Sequence, residues 1–172
     1  SLLTVDPELV RRVIEVNYLG GVWCTRALLP GLRCAASAGG RSHVVNLVSV
    51  AGTVAFAPAG AYAASKHAQL AFSRSTAALL RPEGIRVHTV MPGFVETEGF
   101  PQRSKLRSPF VRRFVIEADD VAAAVVKAVE KDKSEITVPW FPYRITSVAQ
   151  SLVPGIFSRL VARRAGEHRD GS

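Results

Sequence analysis

Tyr62 and Lys66 lie four residues apart in a segment, 60–71, that is rich in alanine. On a helix, residues at i and i+4 share one face, so the phenol and the ammonium are expected to point into one cleft. A cation held there favours phenolate over phenol and lowers the tyrosine pKa from about 10 toward working pH. The spacing therefore predicts that Tyr62 is a general acid/base, although surface helices with solubilising lysines produce the same spacing.

Ser49 ends an apolar, β-branched run that begins at His43. Such a run is typical of a buried parallel strand, and residues at strand ends line the ligand crevice of an open α/β sheet. Ser49 is therefore a candidate site residue, with the alternative that its hydroxyl only satisfies a loop amide. A second strand is predicted over 85–91, closed by Pro92 and Gly93, and Asn17 lies upstream within an apolar helical pattern.

The order of these four motifs resembles that of the short-chain dehydrogenase/reductase family, closely from about residue 6 to 97 and more loosely to about 139. The resemblance implies an α/β fold, namely the last three strands and flanking helices of a Rossmann-like, doubly wound parallel sheet. Residues 1–143 would form the C-terminal portion of that domain, with a substrate lid at about 94–115. Residues 144–172 would add a basic amphipathic helix and tail.

The resemblance also implies roles for individual residues. Tyr62 would give a proton to the substrate carbonyl or take one from the alcohol, and Ser49 would hydrogen-bond the same oxygen. Lys66 would hold the ribose hydroxyls of NAD or NADP, while Asn17 would orient a water that links Lys66 to solvent. The turn against the nicotinamide would be formed by Pro92, Gly93, Val95 and Thr97.

A further expectation concerns the glycine-rich turn that binds the cofactor pyrophosphate in this family. The sequence has no Thr-Gly-x-x-x-Gly-x-Gly segment, and it is therefore expected to be a C-terminal portion of such an enzyme. A chain without that turn should bind NAD or NADP very weakly. It should also expose a strand edge that another chain can cover, which makes it marginally stable alone.

Helical patterns predict helices over about 6–29, 60–80, 117–130 and 145–164, and a third strand over 134–139. The first helix is expected to stop before Pro30, with a loop of small polar residues over 33–42. An aspartate cap is expected at the start of the helix at 117–130. In the family, the first two helices pack against their copies in a second subunit. Small residues on both predict a homo-oligomer here: Gly20, Gly21, Ala63, Ala64, Ala68 and Ala71.

The formal net charge is +8, with basic clusters at 103–113 and 159–164. A functional interpretation is attraction to an anionic substrate, such as an acyl carrier or coenzyme A ester, or to an acidic membrane surface through the C-terminal helix. The favoured interpretation is a solvated face. Nucleic-acid binding is disfavoured because no basic motif interleaved with aromatic residues is present.

Cys24 and Cys34 are too few and too poorly spaced for a disulfide framework or metal site. Cys24 is expected to be a small core residue, and the four histidines share no ligand spacing. No apolar run reaches the length of about 20 residues that spans a bilayer, and no secretory signal is recognised. A cytoplasmic location is therefore expected.

Three functions remain open. The first is an NAD(P)-dependent oxidoreductase that interconverts a small-molecule carbonyl and a secondary alcohol. The second is a noncatalytic remnant of such an enzyme that serves as an oligomerisation or interaction module. The third is a serine hydrolase that uses Ser49, a histidine and Asp119, and it is weak because no Gly-x-Ser-x-Gly segment surrounds Ser49.

Overall fold

The structure is a computed structural model, and it describes residues 4–54, 60–106, 108–153 and 155. Its helices are α1 (Pro7–Ile14), α2 (Gly20–Ser37), α3 (Gly60–Leu80), α4 (Pro109–Arg112), α5 (Ala118–Glu130) and α6 (Tyr143–Leu152). Its strands are β1 (Ser42–Leu47), β2 (Ile85–Pro92), β3 (Val95–Glu96), β4 (Ile116–Glu117) and β5 (Glu135–Val138). A π-helical turn, Glu15–Leu19, joins α1 to α2, and 3₁₀ turns follow β1 (Val50–Gly52) and α3 (Arg81–Glu83).

The main sheet is parallel, with the strand order β1-β2-β5. Ser42 pairs with Ile85 and Leu47 with Val90 along the first ladder, and Thr89 pairs with Glu135 at the start of the second. Strands β3 and β4 form a separate short parallel pair. This arrangement confirms the predicted α/β class and the three strands of the parallel sheet.

The core occupies both faces of β2, because successive side chains of a strand point to opposite faces. On one face Leu80, Ile85 and Val87 pack with apolar side chains of α2 and α3. On the other face Val90 packs with Ala124 and Ala128 of α5. Helices therefore cover both sides of the sheet, as a doubly wound fold requires.

Helix α2 corrects the predicted stop before Pro30. The helix continues through Pro30 to Ser37, so the first half of the predicted loop at 33–42 is helical. Proline removes one hydrogen bond from a helix interior. Here packing outweighs that loss, because Leu32 and Ala36 are partly buried against the Leu80 and Ile85 cluster.

The expectation that Cys24 belongs to the core is wrong, because its side chain is exposed on α2. The same helix leaves Trp23 and Leu28 exposed. In contrast, α3 begins and ends where the sequence predicts it. The predicted aspartate cap of α5 is wrong in its residue, because the N-cap is Glu117. Asp120, at the third helical position, completes a capping box by accepting a hydrogen bond of 2.9 Å from the Glu117 N–H.

The last predicted helix, 145–164, starts earlier than expected and is only partly described. Helix α6 begins at Tyr143, and the described helix ends at Leu152. The predicted apolar residues of the remaining part, Ile156, Phe157, Leu160 and Val161, lie outside the described residues. No helix in the described ranges has the length and apolarity needed to cross a membrane.

Two histidines of neighbouring strands share a hydrogen bond on the α5 side of the sheet. His88 is fully buried, and its Nδ1 donates to the Lys133 carbonyl at 2.8 Å. The other ring nitrogen of His88, Nε2, lies 2.9 Å from His43 Nδ1. Burial lowers the pKa of His43 below 6.5, and His88, Arg41 and Arg86 act in the same direction, while Asp132 opposes them.

We expect the contact between His43 and His88 to make the protein less stable in mild acid. Because the pKa of His43 is lower in the folded than in the unfolded chain, the unfolded chain binds protons more readily below pH 6.5. The free energy of unfolding should thus be fully retained above that pH and fall as the pH drops through the folded pKa. Chemical denaturation across pH 5 to 8, at roughly half-unit steps around the reference pKa, measures this.

His43→Asn keeps a side-chain N–H near the position of Nδ1 but does not titrate, so it should remove part of the pH dependence. His67→Asn is the matched control, because His67 is exposed and its Nδ1 donates a hydrogen bond to the Ala63 carbonyl of its own helix. An unchanged pH profile in His43→Asn would contradict this account of the pair.

Candidate active site

Tyr62 and Lys66 lie on one face of α3, in its first two turns. The Lys66 Nζ is 5.8 Å from the centroid of the Tyr62 ring, within the range of a cation–π contact. Tyr62 is 41% exposed in the part of the chain that the structure describes. The pair thus combines an accessible phenol with a nearby positive charge.

The Lys66 ammonium is held in place by two acceptors. Its Nζ donates to the Leu47 carbonyl at 3.1 Å and to Gln69 Oε1 at 2.7 Å. Burial lowers the pKa of Lys66, because desolvation disfavours the charged form. An ammonium has three N–H donors, so these two contacts leave one for a further acceptor.

Gln69 was not among the predicted site residues, yet its side chain is buried and accepts a hydrogen bond from Lys66. Its position three residues after Lys66 is the available signal, because i and i+3 are neighbours on a helix. The second acceptor, the backbone carbonyl of Leu47, left no signal in the residue types. It becomes available because β1 ends beside α3.

Asn17 contacts α3 through a serine. Its Nδ2 donates to Ser65 Oγ at 3.0 Å, and Ser65 Oγ donates to the Tyr62 carbonyl at 2.7 Å. Asn17 sits in the π-helical turn between α1 and α2, a local widening that is often found at functional sites. The described contacts therefore link Asn17 to the backbone of Tyr62 and do not join it directly to Lys66.

Ser49 lies between the ends of β1 and β2. Its Oγ accepts a hydrogen bond from the Ala51 N–H at 3.1 Å, so it caps the 3₁₀ turn that follows. The same hydroxyl is 3.5 Å from the Pro92 carbonyl, a long donor contact. Ser49 therefore has the alternative role of accepting a hydrogen bond from a loop amide, the Ala51 N–H. The proton of its hydroxyl makes only a long contact, with the Pro92 carbonyl.

Gly52 brings this turn against α3. A Cβ at Gly52 would lie 2.7 Å from the Lys66 carbonyl oxygen and 2.8 Å from Val48 Cγ1. Real Cβ atoms do not approach backbone oxygen so closely. Glycine therefore permits the contact between the Ser49 turn and the helix that carries Tyr62 and Lys66.

The segment after β2 is arranged as a turn beside the sheet. The Gly93 N–H donates to the Val138 carbonyl at 2.8 Å, which ties the turn to β5. Val95 pairs with Ile116 in the β3–β4 ladder. Thr97 is exposed, and its carbonyl accepts a hydrogen bond from the Phe100 N–H. Among the predicted nicotinamide residues, Pro92 contacts another predicted site residue, because its carbonyl lies 3.5 Å from Ser49 Oγ.

Tyr143 fills the space over Gly93, and its role was not foreseen. A Cβ at Gly93 would lie 2.1 Å from Tyr143 Cε2, so only glycine allows the ring this position. The Tyr143 hydroxyl makes long contacts with the Phe94 N–H (3.4 Å) and the Phe114 carbonyl (3.5 Å). Burial raises the pKa of this phenol, and the Phe94 hydrogen bond partly offsets the rise.

Ser147, one turn later on α6, reaches the turn that follows Ser49. Its Oγ is 2.6 Å from Thr53 Oγ1, and Thr53 closes that turn through a 2.8 Å bond to the Val50 carbonyl. Through Tyr143 and Ser147, α6 contacts the turns after both β1 and β2. These partners are more than 40 residues away in sequence, so local patterns do not reveal them.

The serine hydrolase hypothesis gains no support from this geometry. The hydrogen bonds of Ser49 to described residues are to backbone atoms, and Asp119 is exposed on α5. Among the described residues, no three His, Cys, Asp or Glu side chains are grouped so as to hold a metal ion.

Comparisons with known proteins identify the family. The family model described as short chain dehydrogenase matches residues 2–107. The mouse protein "Dehydrogenase/reductase SDR family member 7B" is 30% identical over 92% of this chain and 50% of its own length. The "1-deoxy-11-beta-hydroxypentalenate dehydrogenase" of Streptomyces exfoliatus is 37% identical over 77% of this chain and 46% of its own length.

A solved structure of a short chain dehydrogenase from Burkholderia cenocepacia in complex with NADP superposes with a TM-score of 0.70 at 28% identity. The superposed region covers 92% of this chain and 60% of the Burkholderia cenocepacia chain. The chain spans about half the length of the curated relatives it matches. The family match and the parallel sheet agree, and the chain belongs to the short-chain dehydrogenase/reductase family of oxidoreductases.

Proposed function

We propose that this chain supplies the catalytic half of an NAD(P)-dependent oxidoreductase that interconverts a carbonyl and a secondary alcohol. The observation that carries the proposal is the pairing of an accessible Tyr62 with the half-buried, hydrogen-bonded Lys66 on one face of α3. Family membership and the dehydrogenase names of the relatives support it.

In the proposed reaction, the Tyr62 hydroxyl donates its proton to the substrate oxygen during reduction and takes it back during oxidation. The Ser49 hydroxyl, weakly engaged with Pro92, turns to donate to the same oxygen and stabilises the negative charge that develops there. The Lys66 ammonium places a positive charge 5.8 Å from the centroid of the Tyr62 ring. Asn17 and Ser65 hold the first turn of α3 in position.

The described residues fit the nicotinamide end of a cofactor. Lys66 has one N–H left for a ribose hydroxyl, and the turn formed by Pro92, Gly93, Val95 and Thr97 borders the same edge of the sheet. NAD or NADP supplies the hydride acceptor or donor when bound. The NADP in the Burkholderia cenocepacia structure supports this assignment. Contacts to the pyrophosphate would come from the part of the relatives' length that this chain does not span.

The proposal keeps the predicted division of the chain into a Rossmann portion (1–143), with a lid at about 94–115, and a basic C-terminal segment (144–172).

A homo-oligomer is proposed as well. Several apolar side chains of α1 to α3 and the π-helical turn are exposed and would be covered by a second copy: Leu9, Val16, Trp23, Leu28 and Leu79. The same exposed surface favours the alternative of a noncatalytic interaction module, because it serves assembly without any reaction.

A chimera separates these functions. The N-terminal half of the Burkholderia cenocepacia relative, fused ahead of residue 1, restores a complete family fold, and NADPH oxidation with a panel of ketones and aldehydes measures turnover. Tyr62→Phe removes one oxygen and keeps the ring, so kcat should fall by about 10²- to 10⁴-fold with little loss of stability. Tyr18→Phe is the control, because Tyr18 contacts Phe72 through its ring.

Near-parental turnover in Tyr62→Phe would refute the role given to Tyr62. A chimera that folds and binds NADPH but reduces no carbonyl would favour the noncatalytic module.

A second prediction concerns α6. Ser147→Ala removes the 2.6 Å contact with Thr53 and should loosen the turn that Ser49 caps, so kcat of the chimera should fall several-fold while the KM for NADPH stays constant. Ser151→Ala is the matched control, because its hydroxyl bonds only to the Ser147 carbonyl of the same helix among the described residues. Equal effects of the two substitutions would show that α6 does not position the turn.

A further inference from the structure

Gln69 is a buried amide on α3, and the proposed reaction gives it no role. Its side chain is 9% exposed, and the next residue, Leu70, is buried and apolar. An amide that is buried without a hydrogen-bond partner destabilises a fold, whereas leucine or methionine would suit the interior of a helix equally well. The amide at this position therefore indicates a specific polar partner.

That partner is the Lys66 ammonium. Lys66 Nζ donates to Gln69 Oε1 at 2.7 Å. An ammonium carries only donors, so the amide turns its oxygen, and not its NH₂ group, toward Nζ. Because a hydrogen bond to a charged group is stronger than one between neutral groups, this contact offsets the unfavourable burial of the amide.

Gln69 and Tyr62 lie on either side of Lys66 along one face of α3. Tyr62 is one turn before Lys66 and Gln69 is one turn after it, at the i−4 and i+3 spacings that bring helical side chains together. The Leu47 carbonyl accepts a second hydrogen bond from Nζ at 3.1 Å. Two acceptors therefore fix the ammonium while it lies 5.8 Å from the centroid of the Tyr62 ring.

The surroundings of Lys66 otherwise act against its charge, because burial lowers the pKa of this side chain. Segments 46–52 and 89–93, at the ends of β1 and β2, contain no charged residue that could oppose the effect. The titratable side chains of α1, of the π-helical turn and of this part of α3 are Glu8, Arg11, Arg12, Glu15, Tyr18, Tyr62 and His67. The acceptors bonded to Nζ are two uncharged oxygens, of Gln69 and Leu47, and a hydrogen bond to the charged form of a group favours that form.

We propose that Gln69 is a positioning residue, which holds the Lys66 ammonium charged and in place beside Tyr62. The inference rests on the proposed oxidoreductase function, because that function gives the held ammonium its use. Gln69 touches neither substrate nor cofactor in this assignment and acts through Lys66. With two N–H groups engaged by Gln69 and Leu47, the third is left for a ribose hydroxyl.

The contact is tested without any reaction by proton exchange at the Lys66 ammonium, measured by NMR on the 172-residue chain labelled with [¹⁵Nζ]lysine. Hydrogen bonding slows exchange with water, so Lys66 should exchange more slowly than the exposed Lys131. Gln69→Met keeps the length of the side chain and removes the acceptor, so it should speed this exchange about tenfold. Gln69→Glu keeps an acceptor oxygen and should retain slow exchange.

Thr76→Val is the matched control. Thr76 is also on α3 and 9% exposed, and its hydroxyl donates to the Phe72 carbonyl of the same helix. The substitution removes a buried polar group that is not bonded to Lys66, so the exchange of Lys66 should stay unchanged. Parental exchange in Gln69→Met, equal acceleration in Thr76→Val, or fast exchange in Gln69→Glu would each overturn the proposal.

The chimera connects this contact with the reaction. In Gln69→Met, kcat should fall about tenfold and the alkaline limb of its pH profile should move to lower pH, because Lys66 then loses its charge more easily. Gln69→Glu should restore both. Parental kcat and an unmoved pH profile in Gln69→Met would overturn the positioning role and leave the proposed function standing. A chimera that binds NADPH and reduces no carbonyl, with the exchange of Lys66 still dependent on Gln69, would instead count against the proposed function.

Discussion

The candidate site depends on the close approach of Gly52 to the backbone of α3. Because Gly52 has no Cβ, the turn after β1 comes within van der Waals contact of the Lys66 carbonyl, where a Cβ would lie at 2.7 Å. Ser49 caps that turn, and Leu47, at the end of β1, gives its carbonyl to the Lys66 ammonium. The contact between Gly52 and the Lys66 backbone thus places the Ser49 hydroxyl beside α3, the helix that carries Tyr62 and Lys66.

Other contacts fix the position of α3 and of the turns that follow β1 and β2. On the α3 side, Gln69 fixes the Lys66 ammonium, and Asn17 supports the first turn through Ser65. On the sheet side, α6 contacts the turn after β1 through Ser147 and the turn after β2 through Tyr143. Positioning by several partners matters for catalysis, because a misplacement of about 1 Å can cost about 10²-fold in rate.

Local patterns predicted the parts of the molecule that local chemistry determines. The apolar runs gave β1, β2 and β5, and the alanine-rich segment gave α3 with its correct ends. The continuation of α2 through Pro30 was missed because packing of Leu32 and Ala36 overrides the cost of the proline. Tyr143 and Ser147 were missed because their partners are brought near by the fold, and residue type alone does not identify such partners. Gln69 differs from them, because its partner Lys66 is only three residues away on the same helix.

Gly52→Ala in the chimera tests the central claim most directly. The added Cβ must push the Ser49 turn away from α3, so kcat should fall at least about tenfold, and ¹⁵N shifts should change at both 49–53 and 62–69. Gly99→Ala is the control, because a Cβ there meets no described atom within 4 Å, and it should leave both quantities unchanged. Full turnover in Gly52→Ala, with unperturbed shifts in both segments, would contradict the account.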